Sequence, residues 1–296
     1  MTTLRVLLHI AAQREYELHS LDFSTAFLQG SLHEEIWLRR PPGFTGSFPP
    51  GTQWSLRRPV YGLRQAPREW HDTLRTTLAA LWFAPSTANP SLFLRTDTSL
   101  PPFYILVYVD DLVFATADTA GLAHVKSELQ KRHTCTDLGE LRSYLGLQIT
   151  RDRAQRTITL TQSHMVQQVL QRFDFTYSLP QATPLSTRHS LSALPSDDWE
   201  AEIYAGAMAA QELRWLTYLL TDLGEPPRSP PVLYVDNKAM LALCREHRLE
   251  HRTKHIALRY FLARELQQRG QLCLAYVASE ASSSDIFTKA LPPGDH

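Results

Sequence analysis

Two adjacent aspartates, Asp110 and Asp111, interrupt a stretch that otherwise has the composition of a buried β-strand. Residues 105–109 before them and 112–114 after them are apolar, β-branched or aromatic, and such residues favour strands. Ionised carboxylates in an apolar setting are costly unless a positive charge lies close by. A tight turn within the pair would bring both carboxylates to one divalent cation, whereas strand alternation alone would separate them.

A third carboxylate is expected beside this pair. Asp22 ends another short apolar segment, LHSLDF, and is followed by a turn. Three oxygen ligands with open positions for phosphate oxygens suit two Mg²⁺ ions, which activate an attacking hydroxyl and stabilise a leaving group. This is the chemistry of nucleotidyl transfer. The aspartate pair alone is a weak signal, because adjacent aspartates are also common in surface turns.

Hydrophobic periodicity predicts that an α+β chain positions these carboxylates. The first helix includes Leu4, Leu7, Leu8 and Ala11. Further helices are predicted at Glu69–Leu81, Ala120–Arg132 (with Ala123, Val125 and Leu129 facing inward), His164–Phe173, Glu202–Leu223, from Ala239 onward, and at Ile256–Arg269. Strands are predicted at His19–Leu28 (passing into a turn or short helix), in a hairpin at Phe103–Ala115, and at Leu145–Thr150, Thr157–Thr161, Val232–Val235 and Gln271–Val277.

A change in composition divides the chain. Pro, Ser and Thr dominate Ser178–Asp198 and periodicity is lost there, as expected for a linker. We therefore predict domains at 1–177 and 200–296, joined by a segment at 178–199. Strands alternate with helices in the second domain, which indicates a small α/β unit.

The overall composition neither demands nor excludes a nucleic-acid partner. Lys plus Arg and Asp plus Glu each number 30 in a chain of 296 residues, so basic patches at 54–75 and 245–269 are the local candidates, with solvated surface as the alternative for both. The three cysteines have no close pairing, and the apolar N-terminal segment is too short to span a bilayer and has no cleavage site. An intracellular protein that is neither secreted nor membrane-bound is expected.

Several motifs in a fixed order resemble the Pol polyprotein of copia-type LTR retrotransposons. LDFSTAFLQG (21–30), RRPVYGLRQAPREW (57–70), YVDD (108–111) and LRSYLGLQI (141–149) are similar to its reverse transcriptase. EAEIYAG (200–206), LYVDNKAMLAL (233–243), HRTKHI (251–256) and SDIFTKALP (284–292) are similar to the RNase H region that follows it. Several long motifs in order are far more specific than any one of them.

For the first domain, the resemblance implies a polymerase palm, an antiparallel sheet packed on helices, with partial fingers and the start of a thumb. It implies that Asp22, Asp110 and Asp111 are catalytic and bind two Mg²⁺, with Mn²⁺ as a possible substitute. Phe27 falls at a steric gate that selects deoxynucleotides, although a core aromatic is the alternative. The other implied contacts are Gln65 with the incoming nucleotide, Arg64 and Arg68 with template phosphates, and Leu145 and Gly146 with the primer end. Ordinary solvated arginines and a hairpin glycine remain the alternatives for the last four.

For the second domain, the resemblance implies a partial RNase H-like α/β unit. Glu200, Asp236 and Asp285 match three of its four metal-binding carboxylates, which cut the RNA strand by two-metal hydrolysis. His251, Arg252, Lys254 and His255 would lie near the substrate, although most histidines have structural roles. The implied partners are an RNA template, a DNA primer and dNTPs, with further segments of a polyprotein.

The chain departs from the resemblance in two places. The family carries a fingers segment before the palm, with Lys and Arg that hold the incoming triphosphate, whereas position 1 here already lies in the helix before Asp22. Between Asp198 and Glu200 there is no counterpart of the long stretch that carries the first RNase H strands and their first aspartate. We therefore expect a truncated copy with little or no polymerase activity.

Two other readings belong to different classes. In one, the chain is a catalytically inactive remnant whose basic patches still bind nucleic acid, with an affinity that falls as salt rises. In the other, it is an unstable relic that forms no closed core, and cooperative unfolding would argue against that.

Overall fold

A computed structural model describes residues 1–39, 51–175, 199–236 and 257–278, together with Pro49, Lys238, Leu241, Cys244 and Ala281. The chain forms two compact units, Met1–Gln168 and Val169–His296. The predicted linker at 178–198 lies outside the described residues, so the domain boundaries stay predictions. The combination of helices with antiparallel sheet agrees with the predicted α+β class.

The first unit is built on a six-stranded antiparallel sheet with the order β4-β5-β6-β7-β1-β8. These strands are β1 (Glu17–Phe23), β4 (Phe83–Pro85), β5 (Leu92–Arg95), β6 (Phe103–Tyr108), β7 (Asp111–Thr116) and β8 (Cys135–Glu140). A short antiparallel pair, β2 (Trp37–Arg39) and β3 (Gln53–Ser55), forms a separate sheet. The central strands β6, β7 and β1 are almost entirely buried, which explains their apolar runs.

Two helices cover one face of this sheet: α2 (Ala66–Ala79) and α3 (Thr119–Arg132). Helix α2 buries residues four apart on a single stripe, at Ala66, Trp70, Leu74 and Leu78. They form one core with alternate residues of the sheet: Leu21, Phe23, Phe103, Ile105, Val107, Leu112 and Phe114. The opposite residues of β1 and β7, including Asp22 and Asp111, therefore lie on the other face.

The remaining elements of the first unit follow the sequence pattern. Helix α1 (Thr2–Arg14) begins the chain. Strands β9 (Ser143–Tyr144), β10 (Leu147–Asp152) and β11 (Thr157–Thr161) form a small antiparallel sheet, and α4 (Ser163–Arg172) comes after it. The predicted pairing of the last two strands across the polar turn RDRAQR is confirmed.

Beyond α4, the described residues of the second unit form two long helices and a pair of parallel strands. They are α5 (Trp199–Asp222), β12 (Val232–Val235), α6 (Ala257–Gln268) and β13 (Cys273–Tyr276). Leu213 and Ala210 of α5 pack with Ala263 and Leu266 of α6 and with Leu274 of β13 in a small core. The helix predicted from Ala239 lies mostly outside the described residues.

Some details of the sequence prediction are wrong. Ala123 is exposed on α3, whereas Leu122 and Lys126 are buried there beside Val125 and Leu129. The short strands β2, β3, β4, β5 and β8 were not predicted, because they are too short or too polar to show alternation. None of the helices in the described ranges has the length and apolar character needed to cross a bilayer.

Candidate active site

The hairpin between β6 and β7 carries the two adjacent aspartates. Tyr108 and Asp111 pair across it, so Val109 and Asp110 form its two-residue loop. Asp110 lies in the loop and Asp111 is the first residue of β7. The tight turn proposed from the sequence is therefore present, and it keeps both carboxylates at the same end of the sheet.

Asp22 lies directly opposite Asp111 in the antiparallel pairing of β1 with β7. Side chains of directly opposed residues point to the same face of a sheet and lie close together. Asp22, Asp110 and Asp111 are all half-buried. Burial raises the pKa of the Asp111 carboxyl, and the negative charges of Asp110 and Asp22 raise it further. The structure thus brings the three predicted carboxylates together.

This carboxylate group fits a hard divalent cation in its donor chemistry. Carboxylate oxygens are the ligands that Mg²⁺ prefers, and the mutual repulsion that raises the pKa of Asp111 is relieved by a positive charge. Within the described ranges, however, no group of three or more His, Cys, Asp or Glu side chains is positioned to hold a metal ion. The three carboxylates are neighbours without forming a ready coordination shell.

The loop that carries Asp110 has an unusual backbone. Val109 has φ 56°, a left-handed conformation that is an outlier for a β-branched residue and that hairpin loops normally give to Gly, Asn or Asp. Both loop carbonyls accept hydrogen bonds from outside the hairpin. The Trp70 indole Nε1 donates to Val109 O at 2.6 Å, and the Phe23 amide donates to Asp110 O at 2.8 Å.

The segment after Asp22 is held by a polar side chain. Gln29 donates to the carbonyls of Ser24 and Thr134 and accepts from the Thr134 amide, at 2.7 to 2.9 Å. This arrangement fixes a 3₁₀ turn, Ala26–Gln29, that contains Phe27. The Phe27 ring is 9% exposed and lies 4.5 Å from the Tyr61 ring, centroid to centroid. Its burial agrees with a core role, and its steric-gate role stays a prediction.

The turn and α2 approach each other closely at Gly30. A Cβ placed there would lie 3.3 Å from Phe27 O and 3.3 Å from the Trp70 amide nitrogen. These are backbone atoms, so they cannot move aside as a flexible side chain would. A residue without a Cβ therefore allows the segment that follows Asp22 to pack against α2.

The predicted nucleotide and template contacts lie at the start of α2. Gln65 is its N-cap residue, half-buried, and its Nε2 lies 3.3 Å from a Glu34 carboxylate oxygen. Arg64 is exposed, and Arg68 is exposed with a loose contact to Asp72 at 3.8 Å. Both arginines are therefore accessible to a phosphate, and their roles stay predictions.

The predicted primer contact lies at the turn between β9 and β10. Leu145 and Gly146 both have positive φ, at 49° and 77°. Leu145 lines a cavity of about 530 Å³ together with Tyr108 and Tyr144. Leu145 and the β6–β7 hairpin are thus neighbours, because Tyr108 is the last residue of β6 before the turn.

Two residues at this site were not singled out from the sequence. Trp70 follows the apolar spacing of α2 and reads only as a core residue. Tyr144 lies in the quoted segment LRSYLGLQI, but nothing there signals a buried hydroxyl. Within the described part of the chain this hydroxyl has no hydrogen-bond partner; burial raises its pKa, and the charge of Asp111 adds to the shift.

A larger cavity, of about 1010 Å³, lies elsewhere in the first unit, between the end of α2, strands β4 and β5, and α3. Its lining includes the ion pair between Arg95 and Asp118, at 2.8 Å. None of the predicted site residues in the described ranges lines it. The arrangement of carboxylates, rather than cavity size, identifies the candidate active site.

The predicted residues of the second unit are only partly described. Asp236 follows β12 and is exposed. Glu200 lies in α5, with its side chain outside the described part. Asp285, His251, Arg252, Lys254 and His255 are also outside it. The structure therefore does not show whether Glu200, Asp236 and Asp285 come together.

The sequence model of a family described as reverse transcriptase (RNA-dependent DNA polymerase) matches residues 1–187. The chain is 26% identical to the retrovirus-related Pol polyprotein from transposon RE2 of Arabidopsis thaliana, over 98% of this chain and 28% of that protein. It is 32% identical to the corresponding polyprotein from transposon TNT 1-94 of Nicotiana tabacum, over 65% of this chain and 14% of that protein. A putative transposon Ty5-1 protein of Saccharomyces cerevisiae is 39% identical over 44% of the chain.

The chain spans only about 28% of the length of the RE2 polyprotein. The alignment with that relative extends over 406 positions, whereas the chain has 296 residues. The relative therefore carries positions inside the aligned region, in one segment or several, that have no counterpart here. Such unmatched positions agree with the internal gap expected from the sequence.

Proposed function

The chain belongs to the reverse transcriptase (RNA-dependent DNA polymerase) family, and on this premise we propose that its first unit is the polymerase domain of a retrotransposon Pol polyprotein. The proposed reaction is RNA-directed DNA synthesis at Asp22, Asp110 and Asp111. The pairing of Asp22 with Asp111 next to the Asp110 loop is the observation that carries this proposal. An RNA template, a DNA primer and dNTPs are the proposed substrates.

Asp22, Asp110 and Asp111 would hold Mg²⁺, or Mn²⁺ in its place. When bound, these ions would supply the positive charge that activates the attacking 3′-hydroxyl and stabilises the leaving pyrophosphate. The half-buried positions of the carboxylates exclude part of the solvent and strengthen their field at the reacting atoms. The β1–β7 pairing supplies the fixed geometry on which such a site depends.

The surrounding side chains would orient the substrates. Gln65 would contact the incoming nucleotide at the start of α2, after exchanging its present contact with Glu34. Arg64 and Arg68, both exposed, would contact template phosphates. Leu145 and Gly146 would support the primer end beside the 530 Å³ cavity that Leu145 lines.

Primer extension tests the polymerase proposal. The purified chain is given an RNA template, a DNA primer, dNTPs and Mg²⁺, and is compared with an Asp110→Asn/Asp111→Asn variant whose folding is checked by circular dichroism. Extension by the wild-type chain that disappears in the variant supports the proposal. A folded wild-type chain that extends no primer contradicts it and supports the expectation of little or no polymerase activity drawn from the sequence.

Phe27 is proposed as the gate that excludes ribonucleotides, because its ring would clash with a ribose 2′-hydroxyl. Phe27→Val should then raise rNTP incorporation relative to dNTP incorporation at least about tenfold. Phe83→Leu, a change in a core ring of the same cluster, is the control and should leave the ratio unchanged. An unchanged ratio in Phe27→Val would mean that Phe27 serves only the core.

We also propose that the second unit is a partial RNase H-like unit with Glu200, Asp236 and Asp285 as its metal-binding carboxylates. The position of Asp236 directly after a strand of a parallel pair supports this assignment. His251, Arg252, Lys254 and His255 would contact the hybrid. Cleavage of the RNA strand of an RNA–DNA hybrid, lost in Asp236→Asn, would support this activity, and absence of cleavage in the wild type would oppose it.

A second candidate function is nucleic-acid binding without turnover. The aligned positions of the RE2 polyprotein that have no counterpart in this chain favour it. Binding of an RNA–DNA hybrid would then weaken with rising salt while no primer is extended. Other segments of a Pol polyprotein are the proposed partners that would complete the site.

A further inference from the structure

We infer that Trp70 is a positioning residue of the polymerase site: by donating its indole N–H to Val109 O, it holds the hairpin loop that places Asp110 and Asp111 beside Asp22. The catalytic part of this inference, that the loop positions the carboxylates for polymerisation, rests on the proposed function. Its structural content, a loop held by a distant side chain, is independent of turnover.

The loop needs an external constraint because its backbone is strained. A β-branched residue with φ 56° is costly, and Val109 is 38% exposed, so local packing does not enforce this conformation. Because valine prefers a negative φ, the backbone at Val109 will leave the left-handed region unless other contacts hold it there. Such relaxation would rotate the peptide groups on both sides of Asp110.

Trp70 supplies a contact of the required kind. Its Nε1 lies 2.6 Å from Val109 O, and its side chain is almost fully buried, at 1% exposure. A buried indole has little freedom to move when neighbouring rings pack against it. The Phe23 ring meets it edge to face at 4.9 Å, and the His133 ring meets it at 5.6 Å.

The same residue links the loop to the predicted nucleotide site. Trp70 lies in α2, which begins directly after Gln65. The His133 ring that packs on the indole lies 2.9 Å from the Thr77 hydroxyl of the same helix. The loop is therefore fixed on one side to α2 through Trp70, and on the other side to β1 through the Phe23 amide, which donates to Asp110 O.

The test uses the full chain and compares Trp70→Phe with Leu74→Ala. Trp70→Phe keeps an aromatic ring but removes the only donor that reaches Val109 O among the hydrogen bonds described. Leu74→Ala lowers stability from the same face of α2, one turn away, in a core cluster that includes neither Val109 nor Asp110. The two variants therefore separate loss of the hydrogen bond from loss of core packing.

Two NMR measurements report on the loop without any need for catalysis. The Cα and Cβ chemical shifts of Val109 report its φ, and hydrogen exchange of the Phe23 amide reports its bond to Asp110 O. In Trp70→Phe we expect the shifts to move toward β-region values and exchange to speed up at least about tenfold. In Leu74→Ala both should stay as in the wild-type chain.

A rescue variant completes the design. Asn accepts left-handed φ far more easily than Val, so adding Val109→Asn to Trp70→Phe should restore slow exchange at Phe23. Where the wild type extends primers, Trp70→Phe should lower kcat and leave the KM for dNTP unchanged, and the rescue variant should recover kcat.

Unchanged shifts and exchange in Trp70→Phe, or equal changes in Leu74→Ala, would overturn the inference, because Trp70 would then serve only the core. A wild-type chain that extends no primer would oppose the proposed function and leave these NMR comparisons in force. The two failures are therefore distinguishable.

Discussion

The tripeptide Tyr-Val-Asp occurs twice in the chain, at residues 108–110 and 234–236, and the two copies have different structures. In the first, the chain reverses at Val109 and Asp110 into an antiparallel partner strand. In the second, the residues up to Val235 belong to β12, which pairs in parallel with β13, and Asp236 follows the strand.

The hydrogen bonds made by the two valine carbonyls explain the difference. Val109 O accepts from the Trp70 side chain, and this bond accompanies a left-handed turn. Val235 O accepts from the Val277 amide at 3.0 Å, in the manner of a continuing parallel ladder. Identical local sequences therefore adopt the conformation that their tertiary partners allow.

The largest expected contrast between the two copies concerns catalysis. Where the wild-type chain extends a primer, Asp110→Asn should lower that rate by more than roughly a hundredfold, because it removes charge from the proposed metal ligands. The equivalent change in the second copy, Asp236→Asn, should leave primer extension unchanged. Equal losses in the two variants would mean that the copies do not differ in the way proposed.

The next contrast is that replacing the valine of each copy by Asn should change stability in opposite directions. Val109→Asn should stabilise the β6–β7 hairpin by about 1 kcal/mol, because Asn relieves the left-handed strain. Val235→Asn should destabilise β12 by roughly 1 to 3 kcal/mol, because Val235 packs against the core of the second unit and Asn places a polar group there.

Native-state hydrogen exchange, read separately for β6–β7 and β12, measures both effects. The same substitution in the same tripeptide should thus act in opposite directions. A loss of stability of similar size in both places would show that Val109 is not strained.

The smallest expected contrast is a pH effect confined to the first unit. His19, on β1, accepts a hydrogen bond at Nδ1 from the buried Lys126 Nζ at 2.7 Å. Burial lowers the pKa of His19, and the charge of Lys126 lowers it further, against the opposing charges of Asp137, Glu17 and Glu140. The neutral ring is therefore the form that the folded chain prefers.

A lowered pKa in the folded state means that the unfolded chain binds protons more readily. The stability contributed by neutral His19 is present above the unfolded value near 6.5 and is lost as pH falls through the folded pKa. Burial also lowers the pKa of His133, which gives the same sign.

His19→Asn should keep an acceptor for Lys126 and reduce the loss of stability between pH 7 and pH 5. Urea unfolding at several pH values measures this. If the free energy of unfolding of the variant falls between pH 7 and pH 5 as steeply as in the wild type, His19 is not the source of the pH dependence.

Much of the first unit could be predicted from the sequence, for reasons that the structure makes clear. Long periodic elements such as α1 and the Phe103–Ala115 hairpin have patterns strong enough to show their type, and Asp22 and Asp111 were expected to meet. Ala123 shows the limit of such reasoning. Helical spacing gave Ala123 as an inward-facing residue and gave no sign that Lys126 is buried. Lys126 is buried because Asp137 and His19 satisfy its ammonium group.

The contacts that hold the loop could not be predicted. Trp70 and Val109 are separated by 39 positions along the chain, and neither residue has a local signal of their hydrogen bond. The positive φ of Val109 goes against the preference of valine for negative φ. Such a mismatch is typical of positions whose conformation the surrounding fold determines.

Binding of Mn²⁺ to the folded chain, followed by paramagnetic broadening of assigned amide resonances, tests the central claim most directly. The broadening should be strongest near Asp22 and residues 110–112, and Asp110→Asn/Asp111→Asn should remove it there. Additional broadening near Asp236 is compatible with this result. Resonances around Asp22 and Asp111 that stay sharp at saturating Mn²⁺ would contradict the assignment of these three carboxylates as a metal-dependent polymerase site.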